Sequence, residues 1–269
     1  MQVTLQKLTA PKSLHLVMLV VGIVILVANF YGREIATTTT NLLYLPTSGA
    51  LIVLSILLTV RFRGKGEHGK SWIMFSAFAF SWFLAEYVRY AHNIIYENPY
   101  SFPIFSHWMY YVGYAFLFLF SILYMRPVEK AISKKMLVSS FLISMSFLLP
   151  ATYIVYYQNQ NANWHELMVT ASHPMADAIV MFPASIGIIL FFKGQVNFLW
   201  AAMCVAITLN IIADTSQMIL SSPDYHYLRS PLDILYLWGY ILFAFGVYSH
   251  IKIFKHYKMN YYKNLEDLR

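Results

Sequence analysis

Four carboxylates stand out because they lie where charge is costly. Glu86 and Asp214 sit deep inside two apolar runs, and Asp177 and Asp233 sit near the starts of two others. An ionisable group within a hydrocarbon-spanning helix costs about 2.5–3.5 kcal/mol on insertion scales, so each is a candidate functional residue by default. Helical spacing gives both deep acids polar company. Glu86, Arg89, Tyr90 and Asn93 share one face, and Asn210, Asp214, Gln217 and Ser221 share another. His107, Tyr110 and Tyr114 line a third face, and Asp233, Tyr236 and Tyr240 repeat that spacing on a fourth. These faces imply a polar, tyrosine-walled cavity in one half of a helix bundle. Its expected lining is Glu86, Arg89, His107, Tyr114, Asp177, Asp214, Asp233 and Tyr240, and it suits a small polar ligand, a lipid headgroup or a cation.

Other chemistries compete for the same residues. Glu86 and Asp214 would serve as general acid and base in an intramembrane hydrolase. In a purely structural role, Glu86 and Arg89 neutralise each other, whereas Asp214 has no adjacent cation in sequence. Asp177 and Asp233 would then cap the starts of their helices, where a carboxylate suits the dipole. Ser230-Pro231-Leu232-Asp233 resembles a capping box with Asp in place of Glu or Gln. His92, His107 and His173 fall at the outer ends of three helices, and three imidazoles with a carboxylate would suit zinc or copper. The chain contains no HxxxH, HxxH or HExxH pair, so no cofactor is expected; a metal ion, if bound, would take those histidines. His15 and His250 are expected at the opposite interface. Two facing mid-membrane histidines, as haem would need, are not evident, and no lysine stands in the middle of either of the last two spans. The single cysteine, Cys204, excludes an intrachain disulfide and any multi-cysteine metal site.

The elements that position these residues follow from composition. The 269 residues are 59% hydrophobic and only 12% charged, with a mean hydropathy of +0.55. A soluble domain carries about 25% charged residues, so too few remain here to cover a water-facing surface. The net charge of +7 fits basic loops near anionic lipid rather than nucleic acid. The first apolar run is long for a signal peptide, and no small-residue cleavage site follows it. Eight runs approach the about 20 apolar residues a span needs: 14–31, 42–61, 72–95, 106–125, 137–157, 172–192, 196–220 and 231–254. All Lys and Arg except Arg33, Arg89 and Arg229 fall in or beside one alternating set of connections. That bias puts both termini in the cytoplasm. The opposite connections, such as Asn98-Pro99-Tyr100-Ser101-Phe102-Pro103, Gln158-Asn159-Gln160-Asn161 and Ser222-Pro223-Asp224-Tyr225, are polar and aromatic.

The sequence also echoes itself. Tyr110-Tyr111-Val112-Gly113-Tyr114 matches Tyr236-Leu237-Trp238-Gly239-Tyr240, about half the chain away. Weaker echoes are Tyr44-Leu45-Pro46-Thr47 and Met181-Phe182-Pro183-Ala184. Six residues before each Gly or Pro stands a polar residue: Thr40, His107, Asp177 or Asp233. Glu86 and Asp214 correspond once a two-residue gap is allowed. The expected fold is therefore an all-α integral membrane bundle of eight helices. Four helix hairpins form two parallel halves, 1–131 and 132–269, within a single membrane domain.

Two stretches carry a family resemblance. One is Glu86-Tyr87, the loop through Pro103, and His107-Trp108-Met109-Tyr110-Tyr111-Val112-Gly113-Tyr114. The other is Ala213-Asp214 followed by Ser230-Pro231-Leu232-Asp233-Ile234-Leu235-Tyr236-Leu237-Trp238-Gly239-Tyr240. They resemble the multi-helix membrane sensor regions that precede bacterial and archaeal histidine kinase and diguanylate cyclase modules. His107 stands where that pattern usually has Asp. The likeness implies a stand-alone sensor-like or complex-forming module of a bacterial or archaeal plasma membrane. Without an output domain after the eighth span, it would signal through a separate partner or assemble as an accessory subunit of a larger complex. Ala85-Glu86 and Ala213-Asp214 also resemble the acidic dipeptides of lysoplasmalogenase-type hydrolases, which implies the acid–base pair described above.

The charge bias makes a topology prediction. Cysteines introduced at Lys65 and Lys134 should react with impermeant maleimide only from the cytoplasm, and one at Asn159 only from outside. Labelling of Lys134 and Asn159 positions from the same side overturns the eight-span reading.

Overall fold

The computed structural model describes residues 12–95, 103–158, 164–192, 196–220 and 231–266, with backbone alone at 33, 93–94, 158, 164–171, 217–220 and 253–266. Among these residues the chain is helical throughout, with no strand. The helices are α1 (Lys12–Phe30), α2 (Arg33–Phe62), α3 (Gly66–Ile95), α4 (Ile104–Met125), α5 (Lys134–Gln158), α6 (Trp164–Leu190), α7 (Asn197–Leu220) and α8 (Asp233–Glu266). A short 3-10 turn, Arg126–Ala131, separates α4 from α5. All eight α-helices are long and apolar enough to cross a membrane, as expected of a multi-pass membrane protein. The connections at 98–102, 159–161 and 222–225, expected on the outer side, lie outside the described residues.

Several helices exceed their apolar cores. Helix α2 starts at Arg33 rather than 42, and α6 at Trp164 rather than 172. Helix α6 continues through Pro174 and Pro183. A proline removes one intrahelical hydrogen bond, but in apolar surroundings the remaining backbone groups have no better partner than the helix itself. This corrects the expected place of Asp177: it lies in the helix interior, not at a helix start, and caps nothing. Between α2 and α3 the chain reverses through Arg63, Gly64 and Gly66, all at positive φ. The glycines adopt that backbone without steric cost.

Helix α8 is the centre of the bundle. Two-thirds of its span is buried (67%), against 22% for α1 and α5 at the periphery. It packs on α7, α2 and α1. Helix α3 packs on α4 and α2, α6 on α5, α7 and α4. The α2–α8 and α4–α6 contacts join the segments before and after residue 131. The outward faces are apolar, with Leu16, Leu19, Ile23 and Val27 on α1 and Val138, Phe141, Leu142 and Leu149 on α5. In water such faces would aggregate, whereas in hydrocarbon they match their solvent.

The interior is aromatic. Phe75 meets Phe120 at 4.9 Å between ring centres, and Phe78 meets Phe243 at 5.3 Å, both edge to face. Trp82 caps this layer, touching Phe78 below and the Tyr114 and Tyr240 rings above. Gly113 makes room for it: a Cβ there would stand 2.2 Å from Trp82 Cδ1. Gly187 does the same for Trp200, where a Cβ would stand 2.1 Å from Cε3.

These contacts predict that Gly113→Ala destabilises the protein by about 1–3 kcal/mol, because an indole must move within a close-packed layer. Gly49→Ala, whose Cβ would meet only Phe83 at 3.8 Å, should be neutral or slightly stabilising. Thermal unfolding in detergent compares the two, and equal effects would remove the claim that Trp82 is locked by Gly113.

Candidate functional site

Helices α3, α4, α6, α7 and α8 bring their polar residues to one end of the bundle, where α3 passes to α4, α5 to α6 and α7 to α8. Glu86 is 4% exposed. Arg89, three residues on, donates from Nη2 to Glu86 Oε2 at 2.5 Å. Tyr110 of α4 donates its hydroxyl to Glu86 Oε1 at 2.6 Å, and Tyr240 of α8 donates to the same atom at 3.2 Å. Burying a carboxylate without such partners costs several kcal/mol. Three donors, one of them a cation, offset that cost here.

Arg89 also binds the site to α2. Its guanidinium stands 4.9 Å from the centre of the Tyr44 ring, a cation–π geometry. The Tyr44 hydroxyl donates to Asp233 Oδ1 at 3.1 Å, and Asp233 lies within the electrostatic reach of Arg89. The Asp233 carboxylate is therefore turned towards α2. Asp233 stands in the first turn of α8; among the described residues it makes no bond to a backbone N–H there, and Ser230, its partner in the expected capping box, lies outside them. Asp233 Oδ2 is buried without a hydrogen-bond donor.

A second group forms between α4, α6, α7 and α8. Tyr114 donates to Asp177 Oδ1 at 2.7 Å, and Asp177 is wholly buried. Tyr236 donates to Asp214 Oδ1. Asp177 and Asp214 are direct neighbours. The two carboxyl groups are hydrogen-bonded to each other; because ionised carboxylates only accept, that bond holds one proton between them. Asp214 is half-buried and is the accessible member of the pair. His173 and Tyr111 lie within electrostatic reach of it. His107 Nδ1 and His173 Nε2 are 3.0 Å apart, so one ring donates to the other. Tyr111 and Ser172 share a hydroxyl–hydroxyl bond beside them.

All eight expected lining residues thus occur in this region. The metal reading finds only a pair: His107 and His173 meet, but no group of three His, Cys, Asp or Glu side chains among the described residues could hold a metal ion, and His92 joins none. The side chains of Asn93, Gln217 and Ser221 lie outside the description. Sequence reasoning missed Tyr44, Tyr111 and Ser172. Tyr44 was within reach of it, being four residues after Thr40 on the same helical face.

His250 is also corrected. It is 0% exposed rather than interfacial, with Nε2 at 3.5 Å from the Tyr124 hydroxyl and its ring among His68 and Trp72. Helix α8 continues past it to Glu266, so the residue belongs to the packed bundle and not to its rim. This second cluster sits at the far end, and Phe75, Phe78, Phe120 and Phe243 separate it from the carboxylates. His15 is exposed.

No family model, no curated protein and no solved structure matches this chain.

The Glu86–Arg89 geometry predicts a strongly non-additive pair. Arg89→Met strands an anion and should cost about 3–5 kcal/mol. Arg89→Met combined with Glu86→Gln should cost less than the single change. Thermal unfolding of the two single variants and the double variant measures the coupling, and simple addition of the two losses would show that the ion pair does not organise the site.

Proposed function

We propose that this chain is a non-enzymatic, sensor-like membrane module. Its carboxylate–tyrosine site receives a small polar ligand, and α8 transmits occupancy to the other side of the membrane. The observation that carries this reading is the course of α8. The helix starts with Asp233, Tyr236 and Tyr240 in the polar site. It passes the buried His250 and continues to Glu266, beyond the apolar span that ends at Lys252. At about 1.5 Å per residue, residues 253–266 add about 20 Å of helix outside the span. One rigid element therefore links the site to a surface available to a partner in trans. The resemblance to sensor regions points the same way and supports a bacterial or archaeal plasma membrane, and the charge bias supports cytoplasmic termini. Assembly with other subunits of a membrane complex would use the same surface.

The internal repeat belongs to this reading, and three observations support it. Tyr110 donates to Glu86 as Tyr236 donates to Asp214. Gly113 faces Trp82, and Gly239 faces Asn210, which correspond under the offset that relates Glu86 to Asp214. Helix α2 packs on α8 as α6 packs on α4, and α2 on α3 as α6 on α7.

The hydrolase reading has less support. Glu86 already accepts three donors, and the acid beside Asp214 is Asp177 rather than Glu86.

If α8 transmits occupancy, a change in the site should be felt at its far end. Asp233→Asn should alter amide hydrogen exchange in 253–266 by about twofold or more, since local opening reports coupled stability. Tyr248→Phe, on the lipid-facing side of the same helix, should not. Exchange changes confined to the first turns of α8 would remove the transmission role.

A further inference from the structure

The two halves of the polar site hold their acids in different ways. Glu86 is neutralised by Arg89, a group that keeps its charge at every accessible pH. Gln217 stands three positions on from Asp214, where Glu86 has Arg89. Among the described residues no Lys or Arg pairs with Asp177 or Asp214. These two are hydrogen-bonded to each other instead, between the packed helices α6 and α7. An ionised carboxylate has no hydrogen to donate, so the bond exists only while one proton lies between the two groups. In this half the proton does what the guanidinium does in the other, but it can leave.

Asp177 is wholly buried and Asp214 half-buried, so water reaches the pair on the Asp214 side. Tyr114 of α4 donates to Asp177 and Tyr236 of α8 donates to Asp214, so the pair joins four helices. The other titratable groups around it are His173 on α6 and His107, Tyr110 and Tyr111 on α4. Helix α5, packed on the far side of α6, turns Tyr153, Tyr156 and Tyr157 outward. When the proton leaves, its O–H bond breaks, the electron pair stays on the carboxyl oxygen and the proton passes to water. Two anions then stand at hydrogen-bond range in a buried site. Their repulsion acts on α6 and α7 directly and on α4 and α8 through the tyrosines. Phe75, Phe78, Phe120 and Phe243 close the way to the other end, so the proton enters and leaves from one side only.

We propose that the ligand of this site is the proton: Asp177 and Asp214 bind one between them and release it to the water at their own end of the bundle, which makes the module a sensor of pH on that side. The inference rests on the sensor reading above and names what the site receives.

Asparagine is the probe, because its amide donates where the shared proton does and does not titrate. Asp177→Asn and Asp214→Asn should each keep the bond and lose the pH response. In the purified full chain in detergent, infrared difference spectra should show a protonated-carboxyl band that disappears as pH rises and is absent from both variants. Free aspartates have released their protons above about pH 5, so the folded wild type holds one proton more than its unfolded chain. Its unfolding equilibrium should therefore shift towards the unfolded state by about tenfold per pH unit relative to either variant, from about pH 5 up to the pH at which the band is lost, and no further beyond it. A band that survives in both variants overturns the proposal, and so does one pH dependence of unfolding shared by wild type and variants. A band that persists wherever the protein stays folded overturns it too, since the proton is then a fixed part of the fold. If one variant does not fold, the other decides. Failure here with exchange coupling along α8 intact would sink this inference and leave the sensor reading standing. A titrating pair without that coupling would keep the proton site and remove the sensor reading.

Discussion

An ionised carboxylate taken out of water must find partners inside the protein, and this requirement organises half of the bundle. Each of the four acids of the polar site is met by a tyrosine hydroxyl from another helix. Tyr110 and Tyr240 reach Glu86, Tyr44 reaches Asp233, Tyr114 reaches Asp177 and Tyr236 reaches Asp214. Every one of these bonds joins two helices, so the groups that need solvation also hold the bundle together. That matters in hydrocarbon, where apolar side chains gain little by leaving lipid for protein. Interhelical hydrogen bonds there contribute about 0.6 kcal/mol each on average. Tyrosine suits the task because its ring packs as an apolar body while its hydroxyl reaches a partner.

The same logic explains why the rest of the interior is dry. Trp82 lies between the acids and the phenylalanine layer, and its position depends on Gly113. Below it, Phe75, Phe78, Phe120 and Phe243 fill the centre without polar atoms. The carboxylate site and the His68–Tyr124–His250 cluster are therefore separated by a region that would strand an ion or a proton. Communication between the two ends is mechanical, through movement or packing of helices, and α3, α4 and α8 each carry residues of both clusters.

The eight helices were legible in the sequence because an apolar run of span length has few other uses, and the Glu86–Arg89 pair was legible because both partners lie on one helix. What escaped were features that depend on neighbours. His250 looked interfacial because it stands among lysines near the end of an apolar run, yet packing against Tyr124 and Trp72 buries it. Asp177 looked like a helix cap because Pro174 seemed to mark a start, yet the backbone remains helical through that proline. The His107–His173 pair joins two helices through residues far apart in the chain. No spacing rule within either helix could announce it.

Arg89 and Gln217 give the site its asymmetry. A guanidinium tethered by its own backbone neutralises Glu86 permanently, and that half of the site is a fixed joint. An arginine at position 217 would repeat in sequence the acid-to-cation offset of Glu86 and Arg89. With glutamine there, the second group gains no charge from its own helix, and its stability depends on what the surroundings supply. A ligand shifts a conformational equilibrium only by as much as it prefers one state. The half locked by its own arginine has little such preference to offer, whereas the other half holds its two acids by tyrosine hydroxyls and by the hydrogen bond between them. On this view the half with glutamine in place of arginine is the responsive one, and Asp233, Tyr236 and Tyr240 on α8 lie where that response would enter the helix.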